Sequence, residues 1–278
     1  YQHNAIYQKY VLSLKVNLDS ITHYSQIPFL PIEFFKSQEI VCYRVEADSI
    51  CFNSSGTTGQ VTSKHFVNDI SIYETSFKKG FELFYGKPSD YCILALLPNY
   101  LERTGSSLVY MFDYLIKEST NSLSGFYLNN LNDLINTINV LKQSNQKTIL
   151  LGVTYALLDL AEQGIELNHQ FIVMETGGMK GKRKELLKEE MHQILKSAFK
   201  VNSIHSEYGM TELLSQAYSK ENGLFECPPW MKVLIRDVND PFSYVKTNKA
   251  GGINIIDLAN INSCSFIETK DLGRIRDR

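Results

Sequence analysis

Between residues 66 and 198, apolar runs of strand length alternate with segments whose apolar residues recur at three- and four-residue steps. Nothing else in the chain narrows its possible folds as far. Phe66, Ile70, Tyr73, Phe77, Phe81 and Phe84 have the spacing of a helix with one buried face, beginning at Phe66. YCILALL at 91–97, TILLG at 148–152 and QFIVM at 170–174 read as short buried strands. Around them, helices are predicted at 106–117, 130–142, 154–163 and 182–198. Such alternation predicts an α/β fold with a largely parallel sheet. After about residue 223 the helix signals cease, and PPWMKVLIRDV, GGINIIDL and SCSFIET read as strands separated by Asn, Asp, Pro and Gly turns. The expected organisation is an α/β body over 1–222 and a β-rich portion over 223–278.

The 278 residues, 44% hydrophobic and 21% charged, have the make-up of a globular chain that buries a core. A formal charge of −2 gives no overall attraction to nucleic acid or to an anionic membrane, so neither is expected as a partner. Five cysteines, Cys42, Cys51, Cys92, Cys227 and Cys264, form no C-x-x-C pair and fit a reducing cytoplasm. No apolar run approaches the ~20 residues of a membrane span, and YQHNAIYQKY at the start lacks a signal-peptide core. A cytoplasmic protein is expected.

In FNSSGTTGQVTSKHF, residues 52–66, the run Ser54-Ser55-Gly56-Thr57-Thr58-Gly59 sets hydroxyl donors on a backbone free to adopt positive φ. Two readings are open: a phosphate-binding loop, or an ordinary surface turn made of the residues turns prefer. With Ser49–Phe52 read as a strand and Phe66 as the start of a helix, the run falls in a strand-to-helix loop, where α/β ligands bind. It is neither a Walker A loop, since Gln60 follows Gly59, nor G-x-G-x-x-G, so a P-loop nucleotidase and a Rossmann dehydrogenase are both disfavoured.

Two further segments matter jointly. HSEYGMTE, 205–212, takes a strand into a turn, and ETKDLGR, 268–274, places Asp271 in an expected loop after a strand. Singly, Glu212 reads as an acid at a helix start and Asp271 as a turn residue. In order, however, Ser54 to Gly59, Gly177-Gly178, Tyr208-Gly209-Met210-Thr211-Glu212 and Asp271-Leu272-Gly273-Arg274 resemble the motifs of the adenylate-forming superfamily of acyl-CoA synthetases, luciferases and nonribosomal-peptide adenylation domains. The resemblance covers about 50–278. SSGTTGQVTSKH, LLPNYLERTGSSLVYMFDYLI, ETGGMKG and HSEYGMTE are most similar to the acyl-protein synthetases of the LuxE family, the synthetase component of bacterial fatty acid reductase systems.

That resemblance implies the large N-terminal domain of the adenylate-forming fold, and ATP-dependent activation of a carboxylic acid, expected to be a fatty acid, with loss of pyrophosphate. The activated acyl group would pass to a protein cysteine, with an acyl-accepting protein or acyl reductase as partner. It further implies that Ser54, Ser55, Gly56, Thr57, Thr58 and Gly59 bind the β- and γ-phosphates of ATP. Thr211 would donate to the α-phosphate, and Glu212 would hold Mg²⁺. Gly177, Gly178, Glu207, Tyr208 and Gly209 would wall the adenine, while Asp271, with Arg274 in the same motif, would hold the ribose.

The sequence departs from the superfamily in two places. Its usual G-x-P-K is replaced after Gly59 by Gln60-Val61-Thr62, leaving Lys64 either to supply the catalytic charge or to stand as a solvated lysine. The chain ends at Arg278, seven residues past Asp271, so the small mobile C-terminal domain and its lysine are expected to be absent from it. None of the five cysteines matches the family's acyl acceptor, and each reads as a buried thiol. His205 either lines the acyl pocket or is a satisfied core histidine. Met179, Met111 and the apolar residues around Met111 either line an acyl tunnel or are ordinary core. Arg103 either steers a carboxylate or braces its loop. His3, His23, His65, His169 and His192 lack ligand spacing, so protein-held zinc is not expected. The basic run Lys180 to Lys188 reads as a solvated helix face. A phenylacetate-CoA-ligase-like enzyme and a non-catalytic nucleotide- or acyl-binding subunit are the alternatives.

Overall fold

The computed structural model describes residues 2–47, 49–54, 61–97, 105–127, 130–178, 183 and 186–277. Its strands are β1 (Leu30–Pro31), β2 (Ile50–Asn53), β3 (Lys64–Val67), β4 (Cys92–Leu96), β5 (Gly125–Phe126), β6 (Thr148–Val153), β7 (Phe171–Thr176), β8 (Ile204–Tyr208), β9 (Ala217–Ser219), β10 (Phe225–Glu226), β11 (Met231–Arg236), β12 (Gly251–Asp257) and β13 (Phe266–Gly273). The α-helices are α1 (Ala5–Ser13), α2 (Phe34–Ser37), α3 (Ile70–Tyr85), α4 (Ser107–Ser119), α5 (Leu131–Lys142), α6 (Thr154–Ala161) and α7 (Lys188–Phe199). They form two compact units: Tyr1–Ser76 with Met210–Ser215 and Cys227–Arg278, and Phe77–Gly209 with Gln216–Glu226.

The larger sheet belongs to the second unit and runs β10-β9-β8-β7-β6-β4-β5. β5, β4, β6, β7 and β8 are parallel, and β9 and β10 add antiparallel edges. Every residue of β4 and β6 is buried, as expected for central parallel strands covered on both faces. The covering helices follow the apolar period: Leu134, Ile138 and Leu141 are buried on α5, and Met111, Phe112 and Leu115 on α4. Their starts are capped by Asn130 and Ser106, whose side chains accept from the N–H groups of Asp133 and Val109.

In the first unit, β1, β13, β12 and β11 form one sheet and β2 and β3 a separate antiparallel pair. The units do not follow the expected division after residue 222. β1, near the start of the chain, pairs in parallel with β13 near its end (Leu30 with Ile267, Pro31 with Glu268), so the first residues fold with the last.

Three local expectations are corrected. Phe66 lies in β3, not in a helix; Ser63, His65 and Val67 are buried while Lys64 is exposed and Phe66 half-buried, a period of two, and α3 begins only at Ile70. The run after Ser54 therefore connects two strands of a hairpin, not a strand and a helix. Asp271 lies within β13, at a register irregularity opposite Gly252 and Asn254, instead of in a loop after it. The helix expected from 182 begins at Lys188, and the basic run is not simply a solvated face, because Arg183 binds Asp159 and Glu162 and Lys188 binds Glu175.

Gly251 shows how closely β11 and β12 approach: a Cβ there would lie 2.2 Å from the Arg236 carbonyl oxygen and 2.8 Å from Ile235 Cγ2. Gly251→Ala is expected to cost about 2 kcal/mol or more and to lower the urea midpoint. An unchanged midpoint would mean that the strands separate there without penalty.

Candidate active site

In the second unit, β7 and β8 are register neighbours, with Thr176 opposite Glu207. Gly177-Gly178 and Tyr208-Gly209 therefore leave adjacent parallel strands at the same, carboxyl edge of the sheet, where α/β folds bind ligands. Gly177 has φ +67°, a left-handed conformation that suits glycine. A Cβ on Gly209 would lie 2.5 Å from Glu207 Oε1. Glu207 itself is buried and accepts from the Thr176 hydroxyl. Burial first, and then the neighbouring Glu175 charge, push its carboxyl up to about 7 against the pull of Thr176 and Lys188. The Tyr208 ring meets Phe225 edge-on with centroids 5.9 Å apart.

Behind these residues lies a buried polar cluster. Glu175 binds Lys188 Nζ at 2.6 Å, and His192 Nε2 is 3.6 Å away. Burial raises the Glu175 carboxyl, but the contacts with His192, Lys188 and Ser206 outweigh it and hold the group below its usual range. The Thr154 hydroxyl lies 3.3 Å from Glu175 Oε2 and 3.4 Å from the Gly177 carbonyl oxygen, tying the start of α6 to the glycine turn.

In the first unit, Ser54 and Ser63 extend the β2–β3 pairing just past Asn53 and Lys64: Ser54 N–H donates to the Ser63 carbonyl at 3.0 Å, and Ser63 N–H to Ser54 Oγ at 2.8 Å. Lys64 begins β3 and is exposed. The Thr211–Glu212 turn is brought to β3, since His65 Nδ1 lies 2.8 Å from the Thr211 carbonyl oxygen, and the Glu212 side chain is buried. Burial raises that carboxyl; Ser63 and Lys36 pull it down, and the charge of Asp271 adds to the rise. Ser63, Glu212 and Asp271 thus share one electrostatic neighbourhood, while Arg274 is exposed just after β13. Among the described residues, no group of three His, Cys, Asp or Glu side chains is placed to hold a metal ion.

The acyl-protein synthetase LuxE family model matches residues 1–278, the whole chain. The chain belongs to the LuxE acyl-protein synthetase family. No curated protein matches it. Among solved structures, an open conformation of 2-hydroxyisobutyryl-CoA ligase in complex with 2-HIB-AMP and CoA is similar with a TM-score of 0.72 at 11% identity, over 100% of this chain and 62% of that one. ATP-bound MatB from Rhodopseudomonas palustris gives 0.60 at 15%, over 84% of this chain and 47% of that one. O-succinylbenzoate coenzyme A synthetase (MenE) from Bacillus subtilis, with ATP and magnesium ion, gives 0.55 at 16%, over 84% and 50%. At such identities the likeness concerns the fold, and it is the adenylate-forming fold that the motifs predict. The chain spans about half the length of MatB.

Within this LuxE-family chain, Ser55, Gly56, Thr57, Thr58, Gly59, Met179 and Arg103 lie outside the described residues. Met111 is wholly buried on α4 with Phe112 and Leu115. His205 Nδ1 is 3.1 Å from the Tyr85 hydroxyl, and burial, with the Lys220 charge, lowers its imidazole to about 4. Cys92 and Cys264 are buried and Cys42, Cys51 and Cys227 half-buried; burial raises every one of these thiols, Cys227 to about 11 and Cys264 to about 12. Sequence spacing gave His65, Asp257 and Asn260 no part in holding the Glu212 turn, which they do from far along the chain. Their one sequence signal is the closeness of His65 to the Gly/Ser/Thr run.

Because the Glu207 carboxyl is raised to about 7 in the fold from an unfolded value near 4.5, the native state binds the extra proton. Its stabilising contribution is complete below pH 4.5 and is lost as pH rises through 7. Relative to Glu207→Gln, the wild type is expected to lose on the order of 3 kcal/mol between pH 4.5 and 8 in urea unfolding. A constant difference across that range would show that Glu207 titrates normally.

Proposed function

We propose that this chain activates a carboxylic acid with ATP and that the activated acyl group then passes to a protein cysteine. The observation that carries the reading is the 2.8 Å contact of His65 Nδ1 with the Thr211 carbonyl oxygen, which holds the Thr211–Glu212 turn against β3, the strand that follows the Gly/Ser/Thr run in sequence. It supports reading Thr211 and Glu212 as partners of that run. In the first step a carboxylate oxygen of the acid attacks the α-phosphorus, the bond to the bridging oxygen breaks, and pyrophosphate leaves with the electron pair. In the second a thiolate attacks the acyl carbonyl carbon, and AMP departs as the new thioester forms.

Backbone and hydroxyl donors of Ser54 to Gly59 hold the β- and γ-phosphates, and Thr211 donates to the α-phosphate; fixed donors of this kind resist charge build-up better than water does. Lys64, exposed at the start of β3, adds positive charge there. Magnesium, when bound, neutralises phosphate charge. With no cluster of three ligating side chains among the described residues, it would be held by Glu212 and the nucleotide's own oxygens, the usual mode for this hard cation. Gly177, Gly178, Glu207, Tyr208 and Gly209 wall the adenine, Asp271 accepts from the ribose hydroxyls, and Arg274 adds a cation beside it. His205, Met179 and Met111 line the acid's path.

Burial raises all five thiols of this chain, and none of them matches the family's acyl acceptor, which supports placing the accepting cysteine on a partner protein. An unbranched fatty acid suits a site lined by Met, since each methylene buried contributes ~0.8 kcal/mol and Met adapts to a flexible chain. The CoA ligases among the structural neighbours favour a second reading, transfer to free coenzyme A. The cytoplasm is the proposed setting for the reaction; no described helix is long and apolar enough to cross a membrane.

Exchange of labelled pyrophosphate into ATP is expected only with Mg²⁺ and a carboxylic acid, faster with medium or long fatty acids than with phenylacetate. Glu212→Gln is expected to slow it at least ~10²-fold. Exchange undiminished in that variant would remove Glu212 from the chemistry, and efficient phenylacetyl-CoA formation would favour the CoA ligase. Asp271 is exposed. Asp271→Ala is therefore expected to weaken ATP and AMP binding in calorimetry with little change in Tm. Wild-type affinity in the variant would free Asp271 from the ribose role.

A further inference from the structure

His65 occupies the middle of β3 opposite Phe52, one residue after Lys64 and two after Ser63. Its ring is 1% exposed, and both nitrogens have partners within the first unit. Nδ1 lies 2.8 Å from the Thr211 carbonyl oxygen and Nε2 3.0 Å from Ser263 Oγ. A carbonyl only accepts, so Nδ1 carries the hydrogen, and Nε2 of the neutral ring accepts from the Ser263 hydroxyl.

The turn that His65 reaches has no helix or strand to hold it. Asn260 Nδ2 donates to the Glu212 carbonyl at 2.7 Å. Asp257 accepts from the N–H groups of Leu214 and Ser215 at 2.9 and 3.0 Å, and from the Ser215 hydroxyl. Asp257 and Asn260 come from β12 and the short turn after it. Only His65, of these three, comes from β3, the strand that follows the Gly/Ser/Thr run in sequence. Its ring is a rigid bridge between a strand that leads from the phosphate donors and the carbonyl of the residue before Glu212.

We propose that His65, as the neutral Nδ1–H imidazole, is a positioning residue that fixes the Thr211–Glu212 pair against β3, the strand that follows the Gly/Ser/Thr run in sequence, and so sets the affinity for the metal complex of ATP over ATP alone. The assignment rests on the proposed roles of the hairpin and of Glu212. A histidine that only filled the core would support stability but would leave the metal dependence of nucleotide binding alone.

Calorimetry on the full chain, with ATP in excess Mg²⁺ and with ATP in a chelator, reads the difference directly. In the wild type, Mg²⁺ is expected to strengthen ATP binding. His65→Ala is expected to cut that gain by roughly 10-fold, the scale of one lost hydrogen bond, while metal-free ATP binds within about twofold of wild type. His65→Gln, whose amide can donate to Thr211 and accept from Ser263, is expected to recover most of it. A full Mg²⁺ gain in His65→Ala overturns the proposal alone, whatever its Tm. A wild type that binds no nucleotide overturns it together with the function on which it rests. If His65→Ala does not fold, the comparison passes to His65→Gln and to ¹⁵N NMR of the wild-type ring. The Nδ1–H tautomer with a retained gain in His65→Gln supports the proposal, and the Nε2–H or doubly protonated form overturns it.

Discussion

The carboxylate of Asp257 is wholly buried, and the shape of the first unit around Glu212 depends on what it accepts. Water is replaced by four donors: the N–H groups of Leu214, Ser215 and Ala259 and the hydroxyl of Ser215. Burial still raises its carboxyl despite those bonds, so the group gains by keeping every one of them. An irregular segment with orphan N–H groups and a buried acid lacking donors satisfy each other, and neither is stable in place alone. Ser215 extends the contact, since its Oγ lies 3.0 Å from Ser76 Oγ, which accepts from Trp230 Nε1. The turn is thus fixed by polar contacts where a helix or strand would ordinarily do the work.

The second unit fixes its turns by another means. There β7 and β8 run side by side with every position buried or half-buried, and the glycine turns simply continue strands that cannot shift. Fine adjustment comes from two buried carboxylates of opposite tendency: Glu175, held ionised by Lys188 and His192, and Glu207, held toward its neutral form by burial and by the charge of Glu175. Two like charges side by side would be costly, and the cluster avoids that by letting one titrate upward.

What was legible in the sequence follows the range of the forces involved. Strands β4, β6 and β7 and helices α4, α5 and α6 are written in apolar period, a local signal, and were read to within a few residues. The short motifs were legible because they pack several chemical groups into a few positions. β3 was misread because Phe66 falls four residues before Ile70 and so extends the helical series, while the alternation of Ser63, His65 and Val67 that overrides it is carried by two polar residues. The supports of the Glu212 turn left no trace in spacing: His65 meets Thr211 across 146 positions and Ser263 across 198. A polar residue with a distant partner looks, in one sequence, like any other polar residue.

The interleaving of the two units governs the order in which this chain can become structured. Passing from Ser76 into the second unit, briefly back at Met210–Ser215, and back again at Cys227, the polypeptide leaves the first unit unfinished while the whole parallel sheet is laid down. During synthesis, β1 emerges long before β13, its sheet partner, exists. Contacts so far apart in sequence close slowly, because the loop entropy is lost before the pairing rewards it. The parallel sheet, whose strands follow one another at helix-length intervals, can assemble first as a unit of its own. Phe29 and Leu30 then wait without their β13 partners Phe266 and Ile267, and it is in that interval that this protein is most open to aggregation or to a chaperone.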